Sequence, residues 1–168
     1  MAAGATYEPI ATQTLISNTG TVTFSSIPAT YTDLVVVLSN AGATSAAQPA
    51  FRFNGDTAAN YSVTNLSGDG SSAISFRASG ATYIQFGYND YLSAANNYTG
   101  IFNVMNYANA TTFKTSITRG SNASVGVGAN VGLWRNTAAI TSIAISPLFG
   151  AINFLSGSTF TLYGIAAA

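Results

Sequence analysis

Thr21-Val22-Thr23-Phe24-Ser25 and, after Ile27-Pro28, Asp33-Leu34-Val35-Val36-Val37-Leu38-Ser39 decide the fold class. In the first segment Val22 and Phe24 alternate with threonines, the period of a half-buried strand. Asn18-Thr19-Gly20 before it supplies a turn, because Asn and Gly tolerate positive φ. Ile27-Pro28 ends it, since proline lacks the donor that a ladder needs. The second segment is apolar on both faces in its middle, which predicts a strand sandwiched within the core.

The same pattern runs outward in both directions. Ile10–Ile16 reads as a strand, as do Phe51-Arg52-Phe53, Tyr61–Leu66 and Ala73–Arg77, with Asn54-Gly55 and Gly68-Asp69-Gly70 as turns. Tyr98–Met105 and Thr111–Arg119 read as a hairpin across Tyr107-Ala108-Asn109-Ala110, followed by strands over Val125–Trp134, Ile140–Ser146 and Ser158–Ile165. Tyr88–Asn97, aromatic and polar, reads as a long loop. No stretch carries sustained i, i+3, i+4 apolar spacing with caps. About ten strands without helical crossovers predict an all-β fold, an antiparallel, jelly-roll-like β-sandwich. The expected core is Val22, Phe24, Leu34, Val36, Leu38, Phe51, Phe53, Ile101, Val104, Ile117, Leu133, Ile143, Ile145, Phe160 and Leu162. A single domain over 1–168 is expected, with 1–8 and 166–168 as extended arms.

Composition bounds the chemistry. The chain has 168 residues, 48% of them hydrophobic, with no histidine and no cysteine. Five Lys/Arg and five Asp/Glu give zero formal net charge and a charged fraction of 6%, against roughly 25% in an ordinary domain. General acid–base catalysis, nucleophile activation and transition-metal binding draw on residues that are missing here or scattered singly. A surface is therefore expected rather than a reaction: no enzyme, no catalytic residues, no cofactor and no metal site. Zero net charge gives no electrostatic footprint for nucleic acid or an anionic membrane. Met1-Ala2-Ala3-Gly4-Ala5 lacks the pattern of a secretory signal, and Leu34–Leu38 is far too short to span a bilayer. So little charge protects poorly against association, which fits a surface covered in an assembly.

Individual motifs weigh the same way. Asp56 and Asp69 sit beside glycines and read as turn residues rather than a glycosidase pair. Asp69 and Asp90 lack the spacing of a calcium loop. Val125-Gly126-Val127-Gly128-Ala129-Asn130-Val131-Gly132 lacks the Lys-Ser/Thr of a phosphate loop and reads as a strand with close backbone approach. Two places remain as interface candidates. Tyr88, Asp90, Tyr91 and Tyr98, among Asn89, Asn96 and Asn97, have the chemistry of an adaptable contact loop for protein or sugar. Trp134-Arg135 joins two residue types enriched at binding hot spots, against the plainer reading of a core Trp with a snorkelling Arg.

Several phrases together carry a resemblance. They are Ser25-Ser26-Ile27-Pro28-Ala29-Thr30-Tyr31-Thr32-Asp33-Leu34-Val35; Arg52-Phe53-Asn54-Gly55-Asp56-Thr57 followed by Asn60-Tyr61-Ser62; Gly132-Leu133-Trp134-Arg135-Asn136-Thr137 running on to Ile143; and Gly157-Ser158-Thr159-Phe160-Thr161-Leu162-Tyr163-Gly164-Ile165. In this order the chain resembles small virion structural proteins of tailed bacteriophages, including cyanobacterial phages. The resemblance implies a β-sandwich or jelly-roll module on a virion, either a capsid decoration (cement) protein or part of a tail or fibre, and transfers no catalytic motif. The short chain favours decoration. The expected partners are then the major capsid protein and the chain itself as a homotrimer, on the outer capsid surface. The alternative is a receptor- or glycan-binding module of a tail fibre or baseplate. A hydrolase of an envelope polymer ranks far behind.

Overall fold

The computed structural model describes residues 6–88, 90–95 and 97–166. Within them the chain forms twelve strands and no helix: β1 (Tyr7–Thr14), β2 (Val22–Phe24), β3 (Asp33–Ala41), β4 (Pro49–Phe53), β5 (Tyr61–Gly68), β6 (Ala73–Ala81), β7 (Ile84–Gln85), β8 (Tyr98–Met105), β9 (Lys114–Asn122), β10 (Gly126–Trp134), β11 (Ile143–Pro147) and β12 (Thr159–Ile165). They build a large sheet in the order β1-β12-β3-β8-β9-β10-β5-β6 and a small one in the order β2-β11-β4-β7. Every ladder is antiparallel. The protein is thus an all-β sandwich. The division of twelve strands into eight and four does not establish jelly-roll wiring, which uses eight strands. The expected 98–105 and 111–119 hairpin is present as β8–β9.

The small sheet packs on the large one, with β7 reaching β10 and β5, and the core sits between them. Phe51 and Phe53 of β4 and Ile143 and Ile145 of β11 meet Leu34, Val36 and Leu38 of β3, Phe102 and Val104 of β8, and Phe160 and Leu162 of β12. Phe51 stacks on Phe102 at 3.9 Å between ring centroids, and Phe86 joins them at 4.7 Å from Phe51. Such contacts add to the area-based gain of burying aromatic rings.

Alternation in register shows what the rest of the large sheet does. One inward row runs Leu162–Val36–Phe102–Thr118–Asn130–Asn65 across β12, β3, β8, β9, β10 and β5. The next runs Phe160–Leu38–Gly100–Gly120–Gly128–Ser67. Both are apolar at β12 and β3 and become polar or side-chain-free from β9 onward. The outward rows carry apolar residues on both halves. Val37–Ile101–Arg119–Ala129–Leu66 and Val35–Asn103–Ile117–Val131–Thr64 cross the same strands on the other side.

This corrects three of the expected core residues. Ile101 and Leu133 are only half-buried and Ile117 is exposed, all on the outer face. In β10 the residue sharing a face with Gly128, Asn130 and Gly132 is Trp134, the largest side chain in the protein. Its burial sets the parity of the strand and turns Val127, Ala129, Val131 and Leu133 outward. In β3, Leu34, Val36 and Leu38 face the small sheet, and on the other side Val35 is buried as well and Val37 half-buried, so the middle of the strand is covered on both faces as its sequence indicates. Of the expected arms, residues 1–5 and 167–168 lie outside the described residues. Tyr7 and Glu8 belong to β1, and Ala166 N–H donates to Thr6 C=O.

Candidate functional site

The 86–97 connection between β7 and β8 is a strap over the polar half of the large sheet. Its backbone is held at successive points. Phe86 N–H donates to Pro49 C=O, Leu92 N–H to Ala47 C=O, and Ala43 N–H to Ser93 C=O. Side chains hold it as well: Gln48 Nε2 reaches Tyr88 C=O at 3.3 Å and Asn122 Nδ2 reaches Tyr91 C=O at 2.8 Å. Asn89 and Asn96 lie outside the described residues.

Asp90 points from this strap into the protein and is 0% exposed. Its carboxylate lies flat on the sheet where β9 and β10 offer only glycines. A Cβ on Gly128 would stand 2.5 Å from Asp90 Oδ1, and one on Gly120 would stand 2.8 Å from Oδ2 and 1.8 Å from Tyr98 Oη. The glycines are therefore what allow the strap to sit down. Tyr98 Oη–H donates to Asp90 Oδ2 at 3.2 Å. Oδ1 meets no donor among the described residues. Burial of the charge pushes the Asp90 carboxyl up to about 6, partly offset by hydrogen bonds from its own backbone, from Tyr98 and from the Tyr88 backbone. Burial and the neighbouring carboxylate push the Tyr98 hydroxyl well above its ordinary value. Beside the pair, Asn65 Nδ2 donates to Asn130 Oδ1 at 2.8 Å and Ser67 Oγ to Asn65 Oδ1 at 3.1 Å.

The expectation that Asp90 and Tyr98 offer surface contacts is thus corrected: both are spent inside the fold. Tyr88 remains exposed, with its ring 5.8 Å from Phe76 of β6, and Tyr91 is half-exposed.

Trp134 follows the plainer reading, a core Trp, and is not free for an interface. It is fully buried, 5.4 Å from Phe53 and stacked near Tyr61 at 6.2 Å. Its Nε1–H donates to Asp56 Oδ2 at 2.7 Å. Asp56 also accepts from Ala58 N–H and Asn60 Nδ2, both at 2.9 Å. These donors hold its carboxyl below the ordinary value, that of Asn60 most strongly. Asp56 is therefore a hub joining a turn to the core Trp, more than the turn residue that the sequence indicates. Asp69 is the turn residue expected, accepting from the backbone N–H of Ser71 and Ser72. Arg135 stays exposed and donates to Ser62 Oγ at 3.2 Å.

The feature that sequence reasoning missed is the outer face of β3, β8, β9, β10 and β5. Leu66 is 62% exposed, Val127 61%, Val131 56% and Ile117 47%. Shallow depressions of about 310, 380 and 370 Å³ run among Ile101, Arg119, Val127, Ala129 and Leu66. Single exposed apolar residues are ordinary, but Leu66, Val127, Val131 and Ile117 form an exposed apolar group across β5, β10 and β9, interrupted by Arg119 and Thr64. The signal available in the sequence was the parity of Trp134 with the β10 glycines.

Among the described residues no three of His, Cys, Asp and Glu come together as a metal-binding group, and no helix is long and apolar enough to cross a membrane. No protein-family model matches the chain, and no curated protein matches it.

Proposed function

We propose that this protein is a structural component of a bacteriophage virion, a decoration protein that sits on the outer head surface, self-associates as a homotrimer and bridges major capsid subunits. The observation that carries this reading is the inside-out half of the large sheet. A rigid sandwich that buries Thr118, Asn130, Asn65 and Asp90 while turning Ile117, Val127, Val131 and Leu66 outward is suited to lasting contact with protein. The resemblance of its sequence phrases to small virion proteins of tailed phages supports this kind of assembly. Bridging is multivalent, so each capsid contact is modest and effective concentration supplies the rest. Near-neutral surfaces make such contacts insensitive to salt.

A tail-fibre or baseplate module that binds a receptor or glycan is the second reading. It rests on the exposed Tyr88 beside Phe76 and on Tyr91, an aromatic spot suited to stacking on a sugar. Immunogold labelling of intact virions, with copy number by quantitative mass spectrometry, separates the two. Label over heads and hundreds of copies per particle are expected. Label confined to tails, with few copies, rejects decoration.

A further inference from the structure

We infer that the free edge of β6 accepts an extended segment of another protein, which adds a strand to the large sheet and sets an acidic side chain opposite Arg77. Such a contact is open to a chain on a phage head or on a tail alike.

The edges of the two sheets differ. The edge strands are β1 and β6 in the large sheet and β2 and β7 in the small one. An edge presents unpaired N–H and C=O groups, and natural proteins blunt it with short strands, prolines, bulges or charge. β2 has three residues and β7 has two. β1 carries Glu8 and Pro9, and its register with β12 shifts between Pro9 and Ala11. β6 has nine residues and no proline, and it pairs with β5 in unbroken register from Ala73 to Ser79. Its irregularity, Gly80 at positive φ, lies at the far end beside the shift between Tyr61 and Ser62. Among the described residues, no backbone hydrogen bond reaches Ala73–Ala81 from any element other than β5. Every second residue of an edge strand turns its N–H and C=O away from its neighbour. Groups repeating at that spacing are matched by another extended backbone.

The inner flank of the edge is apolar. Ile74, Phe76 and Ala78 are half-buried and lie opposite the buried Ser67, Asn65 and Val63 of β5. Tyr88, 48% exposed, stands 5.8 Å from Phe76 between ring centroids. A strand laid along β6 sets every second side chain beside this row, and cross-strand pairs of this kind stabilise a sheet.

Charge selects the occupant. On the outer flank Ser75, Arg77 and Ser79 are exposed. Arg77 makes no hydrogen bond or ion pair among the described residues. A second copy of β6 has no acid to offer it, because Ala73–Ala81 contains none. Segments 1–5 and 167–168 of this chain contain none either. An Asp or Glu on a strand from a different protein pairs with Arg77 across the ladder, where opposite charges are favourable. The occupant is therefore a foreign segment that alternates apolar with polar residues, an acid among the polar ones.

Synthetic strand peptides added to the full chain test this. Each probe matches the nine-residue length of β6 and alternates threonine with valine. One carries glutamate at the central polar position, one carries lysine there, and one is the glutamate peptide with its backbone nitrogens methylated so that it cannot form a ladder. Fluorescence anisotropy reads binding, and amide exchange reads its place. The glutamate peptide is expected to bind several-fold more tightly than the lysine peptide, and the methylated one not to bind. Exchange in β6 should slow several-fold on binding while β1 is unchanged. Arg77→Glu, at an exposed position, should reverse the preference between the two charged peptides. The peptide comparisons need no variant and decide the matter if Arg77→Glu fails to fold.

Absence of binding by the glutamate peptide, equal binding by the methylated one, or protection of β1 instead of β6 overturns the assigned edge. Equal affinity for the glutamate and lysine peptides overturns the acidic occupant. A wild type found by light scattering at twice 17.2 kDa, with β6 protected before any peptide is added, gives the edge to a second copy and overturns the foreign partner. These measurements use the purified chain, so a virion location other than the head leaves them standing.

Discussion

Asp90→Asn should abolish a specific part of the pH dependence of stability. Asp90 is fully buried, with one side-chain donor at 3.2 Å, and burial raises its carboxyl from 3.8 to about 6. A raised folded-state value means that the folded protein holds the proton more tightly than the unfolded chain. The stabilisation is therefore complete below about 3.8 and is lost as the pH rises through about 6. A shift of this size corresponds to roughly 3 kcal/mol between the two ends of that window. The asparagine keeps the shape and an acceptor for Tyr98 but does not titrate. Relative to wild type, the variant should gain up to ~3 kcal/mol between pH 4 and pH 8, or roughly 6–12 °C in melting temperature for a domain of this size. Urea titrations of both proteins at each pH measure the difference. Asp56 and Asp69, whose carboxyls are held low, act in the opposite sense on acidification but cancel in the comparison. Any fixed cost of the amide adds equally at both ends. A wild-type-to-variant difference that is the same at pH 4 and pH 8 refutes the reasoning.

Gly120→Ala puts a methyl carbon 1.8 Å from Tyr98 Oη, so the Tyr98–Asp90 pair must move; the loss should be at least ~1–3 kcal/mol, read by urea unfolding, with faster amide exchange in the strap. Trp134→Phe removes the donor to Asp56 Oδ2 and should cost about 1.5–3 kcal/mol from that charged hydrogen bond before any packing loss. Because Trp134 is internal, the oligomer mass by light scattering should be unchanged in that variant.

The sequence by itself determined the class of fold and the position of most strands. Val22–Phe24 alternates because threonines face water between apolar residues, and Leu34, Val36 and Leu38 had to be covered whatever their partners. Turn chemistry at Asn54-Gly55 and Gly68-Asp69-Gly70 is equally local. Only the tertiary structure decided which face of β9, β10 and β5 is inside. Ile101, Ile117 and Leu133 read as core because apolar residues ordinarily lie inward, yet the strap from 86 to 97 needs a floor of glycines for Asp90, and Trp134 needs a deep site beside Phe53 and Asp56. A two-residue period records that two faces differ, and it cannot say which of them meets the rest of the molecule. For the same reason Asp90 and Tyr98 looked like surface chemistry: that a loop folds back onto a sheet follows from long-range contacts, which no local spacing contains.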